Sequence, residues 1–450
     1  MSCIRDSQIQ LSLYKKIGGG GLIFYTIRRN STYCSAVMHA LVIFVLLLFY
    51  LSGASSAEPK EYYSGYETVL EEAGPDSVTS QLREGDEIRE SILAFDSLSP
   101  YFDWKAGLQD NHGLAVGTNI LMLYQRANHS LVDDKSAAGY IWRWQGTWAA
   151  VGRGTGHEGQ FQWRFESRGD LNHALAPGDL GGAIGADALV PGFGYSASFD
   201  GDFSVINWSQ YFAGGRAGYA VGRLDFAAYI DPYVFQTFSK GFLNRAFVYN
   251  ATAPTTGIGA LGVVVKAYLP VNVFVGAGIY DANAVNGNFD LDTLKEHEYL
   301  THYEIGWSPG YDRRKLDKIQ ITWWQKDKRD LANTARGSGW LLTASRQSGD
   351  LTGFLRYGNS DGGGGVAATE AASLGFSWAM SQKGVLYVGI GWADPIKEDS
   401  TSEKVFELGY QIQLSRHISI MPNVQYLVDP ANNADQDRIF ISSFRANITL

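Results

Sequence analysis

From Leu114 to the C-terminus the chain is a succession of stretches in which apolar and polar residues alternate, separated by turn-forming residues. In FELGYQIQL, Phe406, Leu408, Tyr410, Ile412 and Leu414 fall on one face, and Glu407, Gln411 and Gln413 on the other. ISIMPNVQYLV repeats the pattern, setting Ile418, Ile420, Val424, Tyr426 and Val428 against Ser419, Asn423 and Gln425. The short link through Arg416 suits a hairpin. YEIGWSP and FQWRFES show the same two-residue period, with Tyr303, Ile305 and Trp307 opposing Glu304, and Phe161, Trp163 and Phe165 opposing Arg164 and Glu166. Strands are expected at 114–125, 138–151, 158–168, 204–213, 216–225, 257–268, 271–282 and 300–309. Eight more follow at 315–327, 337–347, 351–358, 370–380, 384–392, 402–414, 417–429 and 436–450. The longer connections, 169–203, 226–256 and 283–299, are rich in Gly, Asp and Asn and would be exterior loops of a closed sheet, with tight turns such as 269–270 on the opposite rim.

The final stretch, RIFISSFRANITL, places Phe444, Ile448 and Leu450 opposite Arg445, Asn447 and Thr449. Alternation by itself fits two arrangements. In a soluble β-rich protein the apolar side chains point inward. In a membrane barrel they point to hydrocarbon, the polar ones line a wet lumen, and the last strand pairs with the first because lipid tolerates no open sheet edge.

Composition and processing signals favour the second arrangement. The chain holds 52 Gly, 25 Tyr, 23 Phe and 12 Trp against 12 Pro, a mixture of strand formers and turn formers. Its mean hydropathy of −0.13 is what alternating faces average to, and it excludes a bundle of membrane helices. Ala40 to Leu51 is an unbroken apolar run, too short to span a bilayer, followed by SGASSA with Ser55 and Ala57 where a signal peptidase reads. Residues 1–57 are therefore expected to be a cleaved leader, 58–113 a periplasmic N-terminal segment and 114–450 the barrel. Met38 stands just ahead of the run and is an alternative start. Both cysteines, Cys3 and Cys34, precede the cut, so disulfides and thiolate metal sites are excluded from the mature chain. The leader carries five basic residues and one acidic, which leaves 32 basic against 45 acidic. That balance argues against nucleic acid as a partner.

The stretch YAVGRLDFAAYIDPYVFQTFSKGFLNRAF, residues 219–247, resembles the carbohydrate-selective outer-membrane porins of the OprB type, where a strand ending V-G-K/R-x-D leads into a long loop with an F-L-N element. LGVVVKAYLP, GAGIYDANAVNGNFD and Tyr303-Glu304-Ile305-Gly306-Trp307 are similar to the strands and loop that follow in that family. ELGYQIQLSRHISIMPNVQYLVDPANNADQDRIFISSFRANITL carries its Pro-x-x-Gln-Tyr strand, its Asp-Pro loop and a closing strand with an Arg, while YFDWKAGLQDNHGL resembles the lead-in to the first strand. The resemblance covers about residues 100–450. It implies an all-β fold, a transmembrane antiparallel barrel of about 16 strands, that passes mono- or oligosaccharides passively across the bacterial outer membrane without a cofactor.

Extrapolating the alternation nominates Arg143, Arg164, Glu166, Arg223, Asp225, Glu304, Arg356, Glu407 and Arg445 as lumen residues able to exchange hydrogen bonds with sugar hydroxyls. Arg223 and Asp225, two apart, are expected to project together, as an ion pair or toward Glu304 and Arg356. The same charges could equally solvate a wide lumen or pair across neighbouring strands. Enzymatic motifs fail on inspection. Leu180 stands where Gly178-Asp179-Leu180-Gly181-Gly182 would need a protease serine, and Phe161 where the metalloprotease pattern begun by His157-Glu158 would need a second histidine. Residues 77–94 suit one amphipathic helix with Val78, Leu82, Ile88, Ile92 and Leu93 on one face, as a solvated periplasmic extension or, alternatively, a plug or cell-wall anchor. A secreted β-rich carbohydrate-binding protein, or a barrel for another solute or with enzymatic work, are the other readings. Monomer and homotrimer are both compatible with the sequence.

Overall fold

The computed structural model describes residues 74–87, 89–93, 98–171, 175–196, 199–255, 257–285, 291–397 and 400–450. The expected leader, its cut and both cysteines lie outside them.

Sixteen antiparallel strands form a closed barrel in which each pairs with its sequence neighbours and the last with the first. They are β1 Leu114–Ala127, β2 Ser136–Val151, β3 Gly159–Asp170, β4 Phe199–Phe212, β5 Ala217–Leu224, β6 Ala260–Tyr268, β7 Val273–Asp281 and β8 Tyr299–Trp307. The second half comprises β9 Lys318–Lys326, β10 Gly337–Ser348, β11 Leu351–Ser360, β12 Ala368–Ser381, β13 Gly384–Pro395, β14 Glu403–Ser415, β15 Ile418–Val428 and β16 Arg438–Thr449. Closure runs from Asn119 opposite Thr449 to Ala127 opposite Ile441. Beyond that register, Leu450 and Thr118 exchange both backbone hydrogen bonds, at 2.7 and 2.8 Å. Among the described residues no strand of this sheet is left without a neighbour on either side, which is the condition for a sheet to sit in hydrocarbon.

The alternation of the sequence maps onto two faces of opposite character. Tyr303, Ile305 and Trp307 of β8, Ile321 and Trp323 of β9, and Phe440 and Phe444 of β16 are exposed on the outside. Their alternates His302, Glu304, Gln320, Thr322, Ser443 and Arg445 are buried on the inside. A water-soluble β-protein would show the reverse. Among the described residues no helix is long and apolar enough to cross a membrane, so any crossing is made by strands.

Two of the long connections differ from the expected exterior loops. The link 225–259 and part of the link 171–198 turn into the lumen, where Phe235, Phe242 and Phe247 pack with Phe354 and Tyr387 of the wall. A lumen ringed by sixteen strands is too wide for wall side chains to fill, and apolar loop residues gain by leaving water. The segment before the barrel also differs from expectation. Helix α1, Val78–Asp86, is capped by the Ser77 hydroxyl and stops at Asp86 instead of continuing to residue 94. Its Val78 and Leu82 are buried against Val205 and Ala115, so it is no solvated extension. Further on, the Ile92 and Leu93 amides bond to the Gln413 and Leu414 carbonyls at the end of β14. A second helix, α2 at Ser99–His112, ends at Gly113, whose φ of 68° is left-handed, and stacks Phe102 on His417 at 4.2 Å.

Candidate lumen constriction

The inner wall at β2 and β3 is an acid-base cluster created by register. Arg143 faces Glu166 across the pair, and Gln145 faces Arg164. Arg143 donates from Nε to Glu166 Oε2 at 2.5 Å and from both terminal nitrogens to the Asp76 carboxylate at 2.9 Å each. Arg168 holds the other Glu166 oxygen at 2.6 Å. Arg164 donates to Gln145 at 2.9 Å, to Asp225 at 3.4 Å and to the Asp76 carbonyl. Three arginines therefore meet three carboxylates, and the cluster is close to neutral. Burial opposes ionisation of Asp76, but the charge and hydrogen bonds of Arg143 outweigh it and hold the carboxyl below its ordinary value of 3.8. In the same segment Glu84, also opposed by burial, is held below its ordinary value by Lys240 and Arg89.

The rest of the wall anchors the infolded link 225–259. Arg356 of β11 donates to Asp231 at 2.6 Å while its guanidinium lies over the Tyr233 ring, 4.2 Å from the centroid. Thr343 and Gln320 bond the same carboxylate at 3.0 and 2.8 Å. Asp231 has φ 51°, a conformation in which Asp is one of the few tolerated residues. Glu407 of β14 accepts the backbone amides of Leu243 and Asn244 at 2.7 and 2.9 Å, and the Asn423 side chain at 2.8 Å. Arg445 of β16 donates to the carbonyls of Phe238 and Gly241 at 3.2 and 3.1 Å. Glu403, also on β14, accepts the amides of 187–189 from the other infolded link.

All nine nominated residues are therefore inside, but they form several groups. Arg143, Arg164, Glu166 and Asp225 share one network. Arg356, Glu407 and Arg445 each grip the link 225–259. Glu304 pairs with Lys266 at 3.1 Å and accepts from Thr322 at 3.3 Å. The expected pairing of Arg223 with Asp225, or with groups across the lumen, is corrected. β5 ends at Leu224, the chain turns at Asp225, and Arg223 instead binds Asp202 at 2.6 Å. Asp76, Asp202, Asp231 and Lys266 escaped the sequence reading. The three acids lie outside or at the ends of the alternating stretches that nominated residues, and only the preference of Asp for left-handed backbone marked Asp231.

A closed sixteen-strand barrel with an apolar exterior, a polar and charge-bearing inner wall and infolded links has the architecture of a porin-type barrel. Residues 379–450 match the model of the carbohydrate-selective porin, OprB family. The chain is 24% identical over 295 residues to Porin AaxA of Chlamydia felis, covering 59% of this chain and 62% of that protein. It is 24% identical over 258 residues to Porin AaxA of Chlamydia caviae, covering 54% and 56%. The chain thus spans about three fifths of the length of these curated relatives. Pseudomonas putida OprB at high pH superposes with a TM-score of 0.62 at 15% identity, over 80% of this chain and all of that one, which establishes the common fold. The resemblance to OprB-type porins read from the sequence is borne out.

Proposed function

We propose that the protein lets carbohydrates diffuse passively across a bacterial outer membrane through its lumen. The observation that carries this reading is the inner wall itself, where Arg143, Arg164 and Arg168 meet Asp76, Glu166 and Asp225, and Arg223, Lys266 and Arg356 each pair with a carboxylate. Such a lining offers donors and acceptors to hydroxyls while giving an ion of either sign little net attraction. Arg143, Arg164, Glu166, Arg223, Asp225, Glu304, Arg356, Glu407 and Arg445 lie on the proposed path. The C-terminal match to carbohydrate-selective porins supports the same solute class, and the apolar side chains exposed on the outside of the barrel, Tyr303, Ile305, Trp307 and Trp323 among them, support insertion in the outer membrane over secretion. The reading is of a channel, with no chemical step.

Liposome swelling in glucose and in sucrose, together with conductance across a planar bilayer, tests it. Entry of sugars at rates that grade with size, alongside an ohmic ion current, is the expected result. A reconstituted, folded barrel that admits salt but no sugar contradicts it.

A further inference from the structure

Asp76 is a carboxylate lodged inside the barrel that no strand supplies, since it precedes α1. The terminal nitrogens of Arg143 hold its two oxygens at 2.9 Å each, Oδ1 also accepts the Thr237 hydroxyl at 3.2 Å, and its backbone carbonyl accepts from Arg164. Two parallel bonds from one guanidinium to one carboxylate are the geometry by which arginine recognises carboxylates in general.

The segment that carries this group lies between the inner wall and the infolded link 225–259. The Gly74 amide donates to the Ala228 carbonyl at 2.8 Å, the Gln81 side chain donates to the Ser239 hydroxyl at 3.3 Å, and Glu84 pairs with Lys240 at 3.4 Å. Its apolar hold rests on Val78 and Leu82, packed with Val205 and Ala115. Much of its attachment is therefore polar, and a solute that offers the same groups competes with it. Withdrawing the segment also changes the charge. Arg143, Arg164 and Arg168 are left with Glu166 and Asp225 as ion-pair partners, an excess of one positive charge, beside the Thr237 and Ser239 hydroxyls.

We propose that Asp76 is an internal stand-in for a sugar acid, and that Arg143, Arg164 and Thr237 take the carboxylate of a uronate in its place; this rests on the reading of the protein as a sugar channel. The uronate carboxylate replaces that of Asp76, and the ring hydroxyls replace the polar groups of the segment against Thr237 and Ser239. A neutral sugar brings no charge to Arg143, so it cannot make good the loss of Asp76. The tethered carboxylate competes at the effective concentration its chain allows, on the order of millimolar for a short flexible tether. Uronate above that range displaces the segment and opens the space it occupies.

The test uses sodium D-glucuronate as probe, against D-glucose and sodium acetate, on the full-length barrel in proteoliposomes and planar bilayers. Proteolysis of residues 74–93 in the wild type is expected to quicken about tenfold in glucuronate and to stay unchanged in equal glucose or acetate. In D76A, glucuronate is expected to block ion current at a concentration about tenfold below glucose, because a charge-assisted bond is roughly twice as strong as a neutral one. D76A/R143Q is expected to lose that preference. If D76A does not fold, as judged by heat-modifiable migration, the protease measurement on the wild type decides. Proteolysis unmoved by glucuronate, acetate as effective as glucuronate, or equal block by both sugars in a folded D76A that admits them overturns the sugar-acid site and leaves the channel reading standing. Wild-type and D76A barrels that conduct salt but admit neither sugar overturn both.

Discussion

The carboxylate of Asp76 spans both terminal nitrogens of Arg143 at 2.9 Å, fastening the segment that precedes the barrel to the inside of its second strand. Removing one member of a buried, hydrogen-bonded ion pair costs about 3–5 kcal/mol. Asp76→Ala should therefore release α1 from the wall, raise single-channel conductance and expose residues 74–93 to added protease in proteoliposomes. Unchanged conductance together with full protection contradicts the latch.

The same contact sets an acid threshold. The carboxyl of Asp76 is lowered when docked, so its contribution is complete above its undocked value of 3.8 and disappears as pH falls through the lower, docked value. Conductance of the wild type should hold steady from neutrality to about pH 4 and rise only below that, whereas D76A should already be high and flat. A rise centred near neutrality would assign the gate to another group.

Trp323 and Thr322 are adjacent in sequence and opposite in environment, the first 59% exposed on the outside and the second fully buried near Glu304. A lysine facing lipid near the bilayer midplane costs about 2–4 kcal/mol. Trp323→Lys should lower the yield of heat-modifiable barrel strongly. Thr322→Lys, which finds a carboxylate, should lower it less. Equal yields contradict the assignment of faces.

Arg223 neutralises Asp202, so Arg223→Ala leaves a fixed negative charge inside the barrel. The reversal potential under a salt gradient should shift toward cation selectivity. R223A/D202N should restore the wild-type value. A shift that survives in the double variant points to a different charge.

Arg356→Ala removes the strongest wall contact of Asp231 and should loosen the link 225–259. Faster proteolysis within that link and a noisier open-channel current are expected. A current as quiet as wild type means that Glu407 and Arg445 hold the link without help.

The wall was legible in the sequence because one physical requirement, an apolar exterior against a polar interior, is written at every second residue. All sixteen expected stretches became strands, and Phe444 and Arg445 took the sides their alternation assigned. The filling of the lumen was not legible. No local period says that the amides of Leu243 and Asn244 will meet Glu407, or that Asp76 will meet Arg143, since these contacts join parts of the chain far apart in sequence. The misread pair of Arg223 and Asp225 has a simpler cause, a strand ending one residue early. α1 was legible as an amphipathic stretch, but what its apolar face covers depends on tertiary packing.

Glu403 and Glu407 stand on one strand, β14, yet they receive the backbone amides of two links that left the wall long before, across 216 and 164 residues. Neither link can settle until the fourteenth strand has arrived. Contacts of such long range form late, because the intervening chain must first surrender its freedom. Closure of the ring between Asn119 and Thr449 spans 330 residues, further still, so the same rule places it last. In refolding followed by protection of backbone amides, those of Leu243 and Asn244 should be protected no later than those of Thr118 and Leu450.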